Sequence, residues 1–348
     1  MKDDKPSLTA VMVAYTVLIL GGDDYGRSRI PPGIIEAQIV VLVAAGLPFG
    51  TCPWVLCNPI MAKFARCLAA IWYPGFFQGI GFRKLIIDCQ VRDFLRQQAQ
   101  QVKEEGEDKT KTNAQVVVVA AGYDTLALRL CREYTNVTFW EVDHPATSRV
   151  KERVWADHST KSSTTVPLIH KKNDTSTSSN TTTTVKLLGD KPSNMQHVKA
   201  DLTKTHLDIV LKEQSNYDPS LPTIVIVEGL SMYLTEPQIR GLFDDIEKCT
   251  SPSTTATNSN SNNMVVFDFF GWNHRKQTVD VGCILPNLHR HGFTGGAEPW
   301  IWGLDPKDLP EFFSKTNWTL VDNVQSCGFE NVAALKLDSN KHAQQPSQ

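Results

Sequence analysis

The sequence predicts an α/β protein: an open, mostly parallel, Rossmann-like sheet preceded by an N-terminal helical cap. Three observations carry that expectation. Val116-Val117-Val118-Val119 is an unbroken β-branched run, the pattern of a strand buried on both faces of a parallel sheet. After it, strand-like and helix-like segments alternate to the C-terminus, the order of βαβ units. Before it, residues 8–105 read as helical, with apolar runs broken at Pro31-Pro32, Gly50, Pro53, Pro59 and Pro74-Gly75.

The elements follow in order. Residues 85–104 form an amphipathic helix through Leu85, Ile86, Val91, Phe94, Leu95 and Val102, and the charged segment Glu104 to Lys111 ends it. This places a helical cap over residues 1–112 and a sheet-bearing core over 113–340. In the core, the strand ending at Val119 leads to a helix over 126–134, a strand over 137–142 and a helix over 145–157. An extended stretch at 196–200, a strand at 223–227, a helix at 237–249 and a strand at 264–270 come next. A helix at 307–315 and a closing strand pair at 319–324 and 331–337 complete the core. Residues 159–193 and 251–263 are rich in Ser, Thr and Asn and cannot bury enough apolar area to offset chain entropy, so both are expected as disordered loop insertions.

Composition narrows the function. The chain has 348 residues, 41% of them hydrophobic, and a formal net charge of -2, enough to bury a full core. Charges of both signs are spread along it, and no basic stripe points to nucleic acid. The eight cysteines include no Cys-x-x-Cys pair and no cysteine-histidine cluster with zinc spacing, so they read as reduced thiols and no metal is expected. The apolar stretches at 9–20 and 34–48 are too short to span a bilayer, and Asp3 and Asp4 cancel the positive charge a signal peptide needs. The expectation is a cytoplasmic protein without stable membrane insertion.

Four local features point to a site. The first is the small-residue loop Ala120-Ala121-Gly122-Tyr123-Asp124 between a buried strand and a helix, where open α/β sheets bind ligands and where Gly122 can adopt positive φ. The second is Glu141-Val142-Asp143 at the end of the next strand, where a carboxylate can accept hydrogen bonds from both hydroxyls of a ribose. The third is Asp201-Leu202, a carboxylate for an adenine amino group beside an apolar side chain for the ring. The fourth is Glu228-Gly229 at the mouth of a fourth strand, where a carboxylate can pair with an ammonium; Tyr233 beyond it is a candidate wall of a substrate pocket. Ser231 is no nucleophile elbow, because Tyr233 stands where that motif requires glycine.

Together these features resemble the leucine carboxyl methyltransferase family, including its bacterial-type O-methyltransferase members. The matching residues are Ala120 to Thr125 with Arg129-Leu130, Glu141 to Pro145 with Lys151, Asp201-Leu202, and Glu228 to Leu234. Gly296 to Trp300, Gly303 to Pro306 and the upstream pair Arg83 and Asp88 also match, so the resemblance runs from about Asn58 to Leu337. It departs where the first loop glycine is Ala120 and where the two insertions are extra. The resemblance implies a class I methyltransferase fold with a seven-stranded sheet, and S-adenosylmethionine as cofactor. It implies that Arg83 holds the cofactor carboxylate, Ala120 and Gly122 line its methionine part, and Asp124 belongs to the same cofactor loop. Asp143 then binds the ribose, Asp201 and Leu202 the adenine, and Glu228 the amino end. The partner is a small-molecule or carboxylate methyl acceptor. A carboxylate acceptor needs no general base, whereas a hydroxyl does; His274, His289, His291 and Tyr233 are the candidates. Trp300 and Trp302 read either as pocket wall or as core. Two other readings stay open: a non-catalytic binding protein on the same fold, and a nicotinamide-dependent oxidoreductase, which the missing Gly-x-Gly-x-x-Gly disfavours.

Overall fold

The computed structural model describes residues 7–47, 50, 52–72, 74–105, 113–156, 165–166, 183–184, 190–251, 262–273, 278–280 and 299–338. Helices come first in the chain, over the stretch where the sequence predicts a cap: α1 (Leu8–Leu20), α2 (Asp24–Arg27), α3 (Ile34–Ala44), α4 (Pro59–Trp72) and α5 (Phe76–Glu105). The Ser7 hydroxyl opens α1 by accepting from the Ala10 amide at 3.2 Å. α1 and α3 are apolar almost throughout and pack on each other, and α1 also packs on α4 and α5. α4 is built differently. It lays Ala62, Ala65 and Ala69 on the core and turns Ile60, Phe64, Leu68 and Ile71 outward. α5 starts nine residues before the sequence pattern places it, because its first turns hold Gly79 and Gly81. Those glycines serve close packing: a Cβ on Gly79 would meet Glu330 Cγ at 2.7 Å.

The core runs β1 (Ala114–Val119), α6 (Leu126–Leu130), β2 (Val137–Asp143), α7 (Pro145–Ala156), then the short pair β3 (Thr165–Val166) and β4 (Thr183–Thr184). It continues with β5 (Met195–Lys199), α8 (Leu207–Lys212), β6 (Thr223–Val227), α9 (Glu236–Thr250), β7 (Met264–Asn273) and β8 (Thr278–Asp280). α10 (Leu309–Phe312), β9 (Trp318–Leu320), β10 (Gln325–Cys327) and β11 (Glu330–Leu337) close it.

The main sheet has the order β5-β2-β1-β6-β7-β11-β10. Its first five strands are parallel, and β11 runs antiparallel to β7 and β10. This is the Rossmann-like class I methyltransferase arrangement the sequence predicts, with seven positions across. β8 extends it from the end of β7, and β9 shares the outer edge of β11 with β10, giving nine strands. The strand expected at 319–324 is thus shorter, ending at Leu320, and β10 follows as a separate strand beyond it. Two expected helices are also shorter. α6 stops at Leu130, and 307–315 becomes a 3-10 turn at Pro306–Asp308 followed by α10, because Pro306 and Pro310 offer no backbone N–H.

β1 divides the interior by strand alternation. Val116 and Val118 face the core shared with the cap, and Val117 and Val119 face the core shared with α8, α9 and α10. Within the insertion expected at 159–193, β3 and β4 pair antiparallel; most of the rest, most of 251–263, and His274, His289 and His291 lie outside the described residues. Among the described residues no helix is long and apolar enough to cross a membrane.

Candidate functional site

The parallel strands end on one side, and the loops there build the site. After Val119 the chain turns through Ala120 and Gly122, both at φ 51°. For Ala120 that left-handed conformation costs about 1 kcal/mol or more, strain of a kind that collects at ligand sites. The turn is held from the next strand: Asp143 accepts from the Gly122 amide at 2.5 Å and from the His144 amide at 2.6 Å. Burial pushes the Asp143 carboxyl up to about 6, even though both amides favour its charged form. Gln38 of α3 donates to the Tyr123 carbonyl at 3.2 Å, so the cap braces the same loop. Asp124 accepts from the Leu126 amide at 3.1 Å and pairs with Lys84 of α5 at 3.0 Å. Burial would raise this carboxyl, but Lys84, Lys151 and Arg129 outweigh it and hold it below its usual range.

Arg83 of α5 anchors the other half of the site. Its Nε donates to Glu228 at 2.9 Å, and its Nη1 donates to Asp268 at 2.8 Å and to Glu330 at 3.0 Å. Lys84 reaches the same Glu228 oxygen at 2.8 Å. Burial works against the Arg83 cation, but the three carboxyl groups hold it charged. The Nη2 of Arg83 faces Gly229, where a Cβ would lie 3.9 Å away. Gly229 sits at φ 67° and donates its amide to Asp268 at 2.7 Å. Ser231 is buried and donates to the Asp268 carbonyl at 2.6 Å, a structural role that fits its exclusion as a nucleophile.

Asp201 lies at the rim, with Thr203 and Lys204 around it; hydrogen bonds from Thr203 lead in holding its carboxyl down to about 2. Tyr233 accepts from Trp300 Nε1 at 3.2 Å. Arg83, Ala120, Gly122, Asp124, Asp143, Asp201, Leu202, Glu228 and Tyr233 all line one cavity of about 920 Å³, and so does Trp300. Ser7, Ala10 and Val13 from the start of α1 line it too. Trp302 is not in that wall; it is buried between Phe269 and Phe312 in the second core.

Other motif residues work behind the cavity. Lys151 is buried against Glu141 at 2.6 Å and so ties α7 to β2, while Arg129 meets Asp88 at 2.7 Å and ties α6 to α5. The sequence reading missed Lys84, Asp268 and Glu330. Asp268 had a visible signal, a lone carboxylate inside Met-Val-Val-Phe-Asp-Phe-Phe. Glu330 had a weaker one, one residue before the expected closing strand.

Comparison with known proteins agrees with this architecture. The profile of the leucine carboxyl methyltransferase family matches residues 67–247, just over half of the chain. No curated protein matches it at a significant level. Among solved structures it is similar to human N-acetylserotonin methyltransferase in complex with SAM, at 8% identity and TM-score 0.39, covering 86% of this chain and 62% of that one. It is similar to an O-methyltransferase family protein from Burkholderia thailandensis at 11% identity and TM-score 0.41, covering 86% and 72%. It is also similar to a possible exported protein from Bordetella parapertussis at 13% identity and TM-score 0.42, covering 95% of both chains. The chain thus spans under two thirds of the human protein. Likenesses this distant carry no argument of their own, and the fold rests on strand order and direction.

Proposed function

The chain belongs to the leucine carboxyl methyltransferase family, and from that premise we propose that it methylates an oxygen of a small molecule or of a protein carboxylate or hydroxyl. Membership carries the activity class, an S-adenosylmethionine-dependent methyltransferase. One observation supports the site assignment above others. Carboxyl groups at three successive strand ends, Asp143, Asp201 and Glu228, converge on one cavity with the left-handed Ala120–Gly122 turn.

The residues present suit this cofactor chemically. Asp143 offers acceptors for ribose hydroxyls, and Asp201 with Leu202 an acceptor and an apolar face for adenine. Glu228 is an acceptor for an ammonium, and Arg83 a donor for a carboxylate through Nη2. Gly122 meets the φ of 51° that the turn requires, a left-handed conformation that a Cβ would strain. Asp124 acts through Lys84, which it fixes beside Glu228.

When bound, the cofactor supplies an electrophilic methyl group. The protein's task is then to align an acceptor oxygen and exclude water. The helical cap (residues 1–112) would take part in this, because residues of α1, α3 and α5 line the cavity, and we assign Tyr233 and Trp300, which line it too, to the acceptor side. A carboxylate acceptor asks least of the cavity. Its histidines among the described residues, His144 and His206, are held through Nδ1, to the Ala146 amide at 3.3 Å and to Asp245 at 3.0 Å, an arrangement that would also serve a hydroxyl acceptor through Nε2. A carboxylate needs no base to become nucleophilic.

The test is calorimetric titration with S-adenosylmethionine, followed by transfer of a labelled methyl group to a panel of carboxylic acids, phenols and peptides. Release of the label as methanol in mild alkali identifies a methyl ester. A stable label shows an ether or a methylated nitrogen, and no cofactor binding at all ends the proposal.

A further inference from the structure

Arg83 and Lys84 are two cations facing four carboxyl groups: Asp124, Glu228, Asp268 and Glu330. The four are not equally supplied with donors. Asp268 accepts from Arg83 with one oxygen and from the Gly229 amide with the other. Glu330 accepts at Oε1 from the same Arg83 Nη1, yet its Oε2 is buried with no hydrogen-bond partner, and the residue is fully buried. A bare, ionised carboxylate oxygen is very costly in such a place. Two carboxyl groups on one guanidinium nitrogen also oppose each other's ionisation. Glu330 faces Arg83 and Lys84 from α5, Asp268 from β7, Glu228 from the end of β6 and the Cys327 thiol from β10. Burial, with Asp268 and Glu228, pushes it up to about 8 against the pull of Arg83 and Lys84.

Resting on the cofactor reading above, we propose that Glu330 is a positioning residue for the cofactor carboxylate: held as a neutral acid, it fixes Arg83 through Nη1 without consuming the guanidinium charge. Arg83 then keeps attraction for a ligand carboxylate at Nη2. Were Glu330 ionised, three carboxylates would surround one guanidinium and an incoming carboxylate would be repelled.

The experiment is calorimetric titration of the wild type, Glu330→Gln and Glu330→Ala with S-adenosylmethionine from pH 6.5 to 9.5. The ligand's own amino group titrates in this range, so the quantity read is the ratio of wild-type to variant Kd at each pH. Below pH 7.5 Glu330→Gln, a neutral isostere, should bind within about threefold of the wild type. At pH 9 the wild type should be about tenfold weaker relative to it, because about a tenth of Glu330 would still be neutral there. Glu330→Ala should bind weakly throughout, since Arg83 loses a contact that fixes it. A pH-independent ratio, or Glu330→Gln as weak as Glu330→Ala, overturns the proposal. Infrared difference spectroscopy of the ligand-free wild type against Glu330→Gln adds a measurement that needs no ligand: the carbonyl band of a neutral carboxylic acid should be present in the wild type alone at pH 7, fall to about half at pH 8 and to about a tenth at pH 9, and its absence at pH 7 overturns the proposal as well. A wild type that binds no cofactor at any pH brings down the cofactor reading itself, a failure distinct from both.

Discussion

Asp143 makes the cofactor reading testable by pH alone. Its carboxylate clamps the Gly122 and His144 amides and is pushed up to about 6 by burial. Only the ionised form can accept further hydrogen bonds from ribose hydroxyls with both oxygens. About a tenth of it would be ionised at pH 5 and about nine tenths at pH 7, so affinity for S-adenosylmethionine should rise about tenfold between them, or about 1.4 kcal/mol. Asp143→Asn should abolish that slope. It should also bind more weakly at pH 7, by the worth of a hydrogen bond to a charged group, about 1.5–3 kcal/mol. Stability of the ligand-free protein should move the opposite way. The folded pKa lies above the unfolded value, so the group's contribution is fully present below about pH 4 and is lost as pH rises through 6, by about 3 kcal/mol in all. The assays are titration calorimetry and urea denaturation at pH 5, 6 and 7 on both proteins. A wild-type affinity that stays flat over this range, or the same slope in Asp143→Asn, refutes the reasoning.

Three further expectations concern the frame around the site. Lys151→Met leaves the buried Glu141 carboxylate with His197 Nδ1, 3.3 Å away, as its remaining partner and should cost about 1–3 kcal/mol in urea denaturation, much of it recovered by adding Glu141→Leu. Gly122→Ala forces a side chain into a left-handed turn, so melting should report a loss of about 1–2 kcal/mol, with weaker cofactor binding by calorimetry. On α4, Phe64→Ser should change stability by less than about 0.5 kcal/mol while Ala62→Leu costs about 1–3 kcal/mol, an ordering opposite to what residue hydrophobicity suggests.

The half of the site built from strand ends was legible in the sequence because each part is local. A β-branched run, a small-residue turn and an acid at the end of the next strand lie within 30 residues, and their order encodes their convergence. The Arg83 cluster was only partly legible. Arg83 and Glu228 could be named one at a time, but that Asp268 and Glu330 share the Nη1 of Arg83, while Glu228 takes its Nε, is decided by how β7 and β11 lie beside α5, which no local pattern states. Helix lengths were misjudged where side-chain patterning and backbone chemistry disagree. The glycines of α5 mark tight packing rather than a break, and the prolines near α10 shorten a helix whose apolar spacing looks longer. For α4 the pattern was present but its direction was not, because an alanine face packs inward as readily as a large apolar one when the space is narrow.

The guanidinium of Arg83 joins residues as much as 247 positions apart. A chain emerging from the ribosome therefore carries this buried cation long before the strand bearing Glu330 exists. Until that strand docks beside β7, the closure of a very long loop has not been compensated and the cation lacks part of its cage. Ligand binding in this protein should thus be the last property acquired during synthesis, and a chain halted before residue 330 should fold parts of the sheet yet hold no cofactor.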